Sequence, residues 1–164
     1  MQDLGTISPT LEEFRELAAE RRVVPVRLRI LADALTPIGL YRALALDEDG
    51  TARPGTFLME SAAEGGVWSR YSFVGANSRA TLTAKDGQAH WLGQAPAGAP
   101  TGGSPVEALR ETMALLHTER FEDVPPLTSG LVGFVGWEAV RRWERLPHPP
   151  EDDLGIPELA MNLV

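Results

Sequence analysis

A carboxylate, a hydroxyl and a guanidinium stand close together in the middle of this sequence. Glu60 and Ser61 directly follow the apolar run Phe57–Met59, and Arg70 opens a second strand-like run after a glycine pair. If the two runs pair as strands, these side chains meet at the lip of one apolar slot. A carboxylate there binds an amine and a guanidinium binds an acid. The pattern predicts a site for a small zwitterion. The alternative is a surface ion pair, with Ser61 starting a turn.

The elements that must position this site are two short strands. Phe57, Leu58 and Met59 predict a buried strand, because three adjacent apolar residues need cover on both faces. Residues 70–75 alternate in polarity, which predicts a half-buried partner strand.

Composition limits the function classes. The chain has 164 residues, which predicts one domain with a real core. Its net charge of −8 and lack of a basic stripe argue against nucleic acid as a partner. It has no cysteine, no signal-peptide pattern and no apolar run long enough to cross a membrane. We therefore expect a soluble, cytoplasmic protein without a membrane partner.

Catalytic and metal-binding patterns are missing from the sequence. His90, His117 and His148 are scattered, without the spacing of metal ligands, and are expected at the surface or at helix ends. The acidic residues 47–50 resemble the start of a calcium loop, but the later ligands do not follow, so a turn is expected. We predict no catalytic residue, metal site or cofactor in this chain.

The first half predicts two helices and a strand. A capping box at Thr10 and Glu13 starts a helix that runs to about Glu20. Residues 24–30 alternate in the manner of a strand. Arg22, Arg27 and Arg29 are expected to form a solvated face rather than an anion site. A second helix starts at Thr36-Pro37. Its expected core residues are Ile38, Tyr41, Leu44 and Ala45.

The second half predicts mainly strands. Asp86-Gly87 indicates a hairpin, with Trp91 packed on the sheet. Residues 93–103 are expected to form a mobile loop within the domain. A capping box at Ser104 starts a helix with an apolar stripe at Leu109, Met113 and Leu116. A strand is expected at 130–137, and glycine at every third position predicts that another group approaches this strand closely. A short helix at 138–144 and a strand at 159–164 follow. The fold class is α+β with a mainly antiparallel sheet.

Four blocks, in order along the chain, resemble the N-terminal region of anthranilate synthase component I. They are Ile30 to Tyr41, Leu58-Met59-Glu60-Ser61 with Arg70-Tyr71-Ser72-Phe73-Val74-Gly75, Ser129 to Arg141, and Asp152 to Glu158. Whole chains of that family are roughly three times as long as this one. The resemblance therefore implies that residues 1–164 are the N-terminal, tryptophan-regulatory region, and that the C-terminal chorismate-binding region is absent.

The resemblance implies a function for the whole protein. The family enzyme is a lyase of tryptophan biosynthesis, which converts chorismate and glutamine-derived ammonia to anthranilate and pyruvate. It needs magnesium and a glutamine amidotransferase partner, component II. Its N-terminal region carries the feedback site for L-tryptophan, which maps here to Ser61 and Glu60 with Leu58, Arg70 and Tyr71. This chain alone is expected to be inactive.

Three further expectations follow from the resemblance. The family fold is a layered α-β-β-α sandwich to which this region supplies part of the sheets. Leu131, Phe134, Trp137 and the strand at 159–164 should then expose apolar surface and favour a homo-oligomer. The alternatives are the N-terminal part of aminodeoxychorismate synthase component I, which shares the central block, and a stand-alone amino-acid-binding module.

Overall fold

A computed structural model describes residues 4–60, 71–121, 124–149 and 151–164 of the chain. The elements in chain order are β1 (Ile7–Ser8), α1 (Leu11–Glu20), β2 (Arg27–Leu28), α2 (Pro37–Ala45), β3 (Phe57–Met59), β4 (Phe73–Gly75), β5 (Ala80–Lys85), β6 (Gln88–Gly93), α3 (Pro105–Leu116), β7 (Leu131–Val135), a 3₁₀ helix (Trp137–Arg142) and β8 (Leu159–Leu163). All strand pairs in these ranges are antiparallel. The predicted α+β class is confirmed, and the layered sandwich stays a prediction. Among these helices, none is both long and apolar enough for a transmembrane span.

The chain divides into two compact units, where its length alone predicted one domain. Unit 1 comprises the described residues of Met1–Ala76 and Leu116–Ser129, and unit 2 comprises those of Asn77–Leu115 and Gly130–Val164. The stretch 93–103 lies inside unit 2, so it is not a boundary, as predicted.

In unit 1, α1 begins and ends as predicted. The backbone N–H of Glu13 donates to the hydroxyl of Thr10 (3.3 Å), and the backbone N–H of Thr10 donates to the Glu13 carboxylate (2.8 Å). These bonds from Thr10 lower the pKa of Glu13, because they favour its charged form. At the other end, Arg21 donates to the carbonyl of Glu119 (3.0 Å) and lies 4.6 Å from the ring centroid of Phe121. These contacts hold the second segment of unit 1 against the helix.

The second helix, α2, also begins as predicted, since the Thr36 hydroxyl accepts from a backbone N–H three residues on, at 3.0 Å. Its predicted core face is partly wrong. Ala45 is buried and Tyr41 is half-buried, but Ile38 and Leu44 are 53% and 44% exposed. The helix packs against β3 and β4. Two strands of three residues are too short to cover its whole apolar stripe.

The strand predicted over residues 24–30 is only the two residues of β2, paired with β1 so that Ile7 lies opposite Leu28. Val26, Leu28 and Ile30 are 60%, 54% and 63% exposed. The alternation that predicted a strand is present, but β1 and β2 form a ribbon without a third strand among the described residues. The apolar side of this segment therefore stays open to solvent.

The sheet of unit 2 has the strand order β6-β5-β8-β7. The predicted hairpin between β5 and β6 is confirmed. Its turn residues Asp86 and Gly87 have φ of 51° and 72°, the left-handed pair that a two-residue hairpin turn requires. The core forms on this sheet around Leu82, Leu159 and Trp91, with Ala108 of α3 packed against them.

The loop prediction for residues 93–103 is wrong in one respect, because this segment packs. Ala95 and Ala99 lie against the core of unit 2. The indole N–H of Trp91 donates to the carbonyl of Pro100 (2.8 Å), and the backbone N–H of Gly103 donates to the side chain of Gln88 (3.0 Å). A segment poor in large side chains is thus held by alanine packing and by polar groups of β6.

The third helix, α3, follows Ser104 as predicted, but its buried face differs. The buried residues are Pro105, Ala108 and Thr112, whereas Met113 is 50% exposed. The prediction of Met113 as a core residue is wrong. Ala108 belongs to the core cluster on the sheet, and Val106 and Leu109 pack against that cluster.

The glycine-rich strand is confirmed as β7, together with its close approach. A Cβ at Gly133 would overlap the carbonyl oxygen of Ala160 and lie 2.9 Å from the Cα of Met161. The following helix is confirmed as the 3₁₀ turn. The last strand, β8, lies between β5 and β7, and Leu159 in it is fully buried. The expectation that β8 exposes apolar surface is therefore wrong for Leu159, whereas Met161 and Leu163 are half-buried.

Candidate functional site

Leu58, Glu60 and Tyr71 of the predicted zwitterion site lie in or beside the β3–β4 ribbon of unit 1. The pairing is antiparallel and places Phe57 opposite Gly75 and Met59 opposite Phe73. A Cβ at Gly75 would come within 2.5 Å of the Phe57 ring, so the glycine leaves room for that ring to lie across the ribbon. This register brings the residues after β3 and those before β4 to the same end.

α2 supports the start of β3 through a chain of hydrogen bonds. The hydroxyl of Thr56, the residue before β3, donates to the carbonyl of Arg53 (2.8 Å). The hydroxyl of Tyr41 in α2 lies 3.3 Å from the hydroxyl oxygen of Thr56. Because Thr56 has one proton and uses it on Arg53, Tyr41 is the donor in this contact. The strand that leads to the site is therefore attached to the helix behind it.

The structure describes three residues of the predicted site. Glu60 directly follows β3 and is exposed, Leu58 within β3 is half-buried, and Tyr71 just before β4 is half-buried. Tyr71 stacks on Phe73, with ring centroids 6.1 Å apart. Ser61 and Arg70 lie outside the described residues, so their meeting with Glu60 stays a prediction. The expectation of a fully buried β3 is wrong, since Phe57 and Leu58 are half-buried and Met59 is 38% exposed.

Two open surface cavities also lie in unit 1, and neither is lined by Glu60 or Tyr71. One, of about 510 Å³, lies beside α1 and includes Glu16, Glu20 and Arg27. The other, of about 590 Å³, lies at the start of α1 and includes Arg27 and Arg29. The sequence pattern gave no sign of either, because each needs α1, the β1–β2 ribbon and residues beyond 120 to come together.

Unit 2 contains an ion pair that sequence reasoning missed. Two nitrogens of the Arg142 guanidinium bind the two carboxylate oxygens of Glu158, one of them at 2.7 Å. Arg142 also donates to the carbonyl of Gly87 (3.1 Å). Its pKa is raised by the hydrogen bond and charge of Glu158. The pair joins the 3₁₀ helix to the start of β8 and the hairpin turn, so it is a structural contact.

The described residues contain no group of His, Asp and Glu side chains placed to hold a metal ion. His90, His117 and His148 are all exposed, as predicted. The acidic stretch 47–50 is a turn, in which the backbone N–H of Gly50 donates to the carbonyl of Asp47 (2.9 Å).

Comparison with known proteins decides the family. No family model matches the chain. It is 70% identical over 164 residues to anthranilate synthase component 1 of Arthrobacter globiformis, a match that covers 100% of the chain and 30% of that protein. Over its whole length, the chain corresponds to the N-terminal part of anthranilate synthase component 1.

Two more distant members of the anthranilate synthase component 1 family support this assignment. The identity is 54% over 152 residues with the protein of Mycolicibacterium smegmatis, covering 93% of the chain and 28% of the relative. It is 38% over 138 residues with that of Thermus thermophilus, covering 84% of the chain and 28% of the relative. The chain thus spans less than a third of these relatives and matches their N-terminal part. The aminodeoxychorismate synthase alternative is not favoured.

Proposed function

We propose that this chain is the effector-sensing N-terminal part of an anthranilate synthase large subunit. The whole subunit would convert chorismate and glutamine-derived ammonia to anthranilate and pyruvate in the cytoplasm. The observation that carries the proposal is the chain's 70% identity to the N-terminal part of the Arthrobacter globiformis protein named anthranilate synthase component 1. In the proposal, the remaining part of the subunit binds chorismate and magnesium, and a glutamine amidotransferase supplies the ammonia.

The effector in this proposal is L-tryptophan, bound at the end of the β3–β4 ribbon. Glu60 would accept from its ammonium group, and the hydroxyl of Ser61 and the guanidinium of Arg70 would bind its carboxylate. Leu58 and Tyr71 would contact the indole ring. The antiparallel register supports this arrangement, because it brings Glu60 and Tyr71 to the same end of the ribbon.

Inhibition requires a site that responds to a change of state. An effector shifts an equilibrium only if it binds one state more tightly than the other. The β3–β4 ribbon is attached to α2 through Tyr41 and Thr56, so a ligand that contacts the end of the ribbon acts on a supported element. We propose that tryptophan favours the arrangement of the whole subunit in which the chorismate site is inactive.

Removal of the Glu60 charge tests the proposal. In the full-length subunit, Glu60→Gln should raise the tryptophan concentration that halves anthranilate formation by about tenfold, the size of one lost charge-assisted hydrogen bond. Ser61→Ala should raise it by about fivefold. Each variant is compared with its own uninhibited rate. The matched control is Glu48→Gln, which removes the same charge from the exposed acidic turn of unit 1 and should leave inhibition unchanged.

Calorimetric titration of L-tryptophan into the same proteins separates binding from inhibition. Equal heats for wild type and both site variants would remove Glu60 and Ser61 from the effector site. Turnover of chorismate by the 164-residue chain alone would contradict the proposal that the remaining part of the subunit binds chorismate.

We also propose that the 164-residue chain self-associates through the outer edge of its unit 2 sheet. β7 is an edge strand of that sheet. Phe134 and Val135 in this strand are 43% and 48% exposed, and Trp137 just after it is 85% exposed. Such a surface favours pairing with a second copy. Sedimentation velocity should show a dimer or larger species at tens of micromolar, reduced by Trp137→Ser. A monomer at all these concentrations would exclude it.

A further inference from the structure

One of the two open cavities of unit 1 has a volume of about 590 Å³. It is formed where the N-terminus of α1 meets the β1–β2 ribbon, since β1 ends at Ser8 and the N-cap of α1 is Thr10. The pairing of Ser8 with Arg27 places β2 beside the residues that lead from β1 into α1. Its volume is within the range of small-molecule sites.

The charge of this cavity is predominantly positive. Arg27 and Arg29 line it, against the single carboxylate of Glu13. That carboxylate already accepts from the backbone N–H and the hydroxyl of Thr10, at 2.8 and 2.9 Å. The N-terminus of α1 adds a partial positive charge at the same place. The two guanidinium groups therefore share the cavity with only one carboxylate, and one oxygen of that carboxylate, Oε2, already accepts both bonds from Thr10.

The two arginines differ in how firmly they are engaged. Arg27 has another interaction of its own. The main chain of Arg29 is anchored, because its carbonyl accepts from the backbone N–H of Gly5 (2.8 Å). Arg29 is exposed and lines the cavity. Arg29 is thus the residue that can turn its guanidinium to a ligand without breaking a described hydrogen bond.

The rest of the cavity is apolar or carries hydroxyl groups. Ile7, Leu28 and Ile30 line it and are 58%, 54% and 63% exposed. Pro125 lines it as well, and Thr6 and Ser8 add hydroxyl groups. An apolar wall with a few converging polar groups is the usual lining of a small-molecule site.

The neighbouring cavity of about 510 Å³ has a different character. It shares Arg27 and Glu13 with the 590 Å³ cavity but is also lined by the carboxylates of Glu16 and Glu20. The carboxylates of Glu16 and Glu20 would repel an anion, and neither residue lines the 590 Å³ cavity. With two arginines and one carboxylate in its lining, the cavity at the N-terminus of α1 therefore suits a negative ligand better than its neighbour does.

We infer that the cavity at Arg29 binds a small carboxylate with an apolar body, such as an aromatic acid. The Arg29 guanidinium binds the carboxylate, and the side chains of Ile7, Leu28 and Ile30 contact the apolar body. This site differs from the proposed tryptophan site, since none of its lining residues belongs to β3 or β4. It also replaces the interpretation of these arginines as a purely solvated face.

Titration of benzoate into the 164-residue chain, followed by NMR, tests the inference. Saturable shifts are expected at the amides of residues 5–8 and 28–30. Arg29→Gln should weaken binding about fivefold to tenfold, the effect of losing one charge-assisted hydrogen bond, and Arg29→Lys should restore part of it. Arg145→Gln, which removes an exposed arginine from unit 2, is the matched control and should bind as wild type does.

Benzyl alcohol and inorganic phosphate separate the two parts of the ligand. Both should bind more weakly than benzoate, because the alcohol lacks the charge and phosphate lacks the apolar body. Equal binding of benzoate and benzyl alcohol would overturn the inference, as would equal binding by wild type and Arg29→Gln. Absence of saturable shifts with wild type, in a spectrum of a folded protein, would also overturn it.

Discussion

Gly133→Val is expected to lower the free energy of unfolding of unit 2 by about 3 kcal/mol, the upper part of the range for overpacked sites. The new Cβ would overlap the carbonyl oxygen of Ala160 and lie 2.8 Å from its carbonyl carbon. Both atoms belong to the backbone of β8, which cannot rotate away as a side chain can. The pairing of β7 with β8, in which Gly133 lies opposite Met161, must therefore open. Urea unfolding with amide hydrogen exchange would localise the loss to β7 and β8.

Gly102→Ala is the control for this experiment. A Cβ there has no heavy atom within 4 Å, and the residue is not in the left-handed region. Gly102→Ala should leave the free energy of unfolding unchanged or raise it by up to about 1 kcal/mol, because alanine restricts the unfolded chain. A Gly133→Val protein with unchanged unfolding and unchanged hydrogen exchange in β8 would contradict the close approach of β7 to β8.

Leu82→Ala is expected to cost about 2–5 kcal/mol of unit 2 stability. Leu82 is fully buried and lies opposite Trp91 on one side and Met161 on the other. Its truncation would leave a cavity in the core of unit 2, among Trp91, Ala108 and Leu159. Thermal or urea unfolding measures the loss.

Leu92→Ala is the matched control, since Leu92 in the next strand is 56% exposed. Truncation there should cost less than about 1 kcal/mol. Similar losses from both substitutions would mean that the core of unit 2 does not form around β5.

Local signals in the sequence predicted local structure correctly, because they depend on neighbours in the chain. The capping box of Thr10 and Glu13 and the hairpin turn at Asp86-Gly87 need contacts only within a few residues. The close approach at Gly133 was also predicted, since a strand without a side chain at that position indicates a near neighbour. The partner, Ala160, was not predicted, because strand order depends on the whole chain.

Burial was predicted less well, because it depends on what covers an element. Met113 and Ile38 are apolar residues on the expected helices, yet both are about half exposed. Ala95 and Ala99, in a segment expected to be mobile, pack against a core. Hydrophobic periodicity indicates which side of an element prefers burial, but only the neighbouring element determines whether that side is covered.

For the candidate sites, the sequence by itself determined the family resemblance and the position of Glu60 at the end of an apolar strand. The tertiary structure alone decided that Glu60 and Tyr71 come to the same end of one ribbon. It alone also brought Arg29 to a cavity at the start of α1. The physical reason is that residue types and spacing establish chemistry and local geometry, whereas a site requires side chains from distant segments to converge. That convergence is set by strand register and packing.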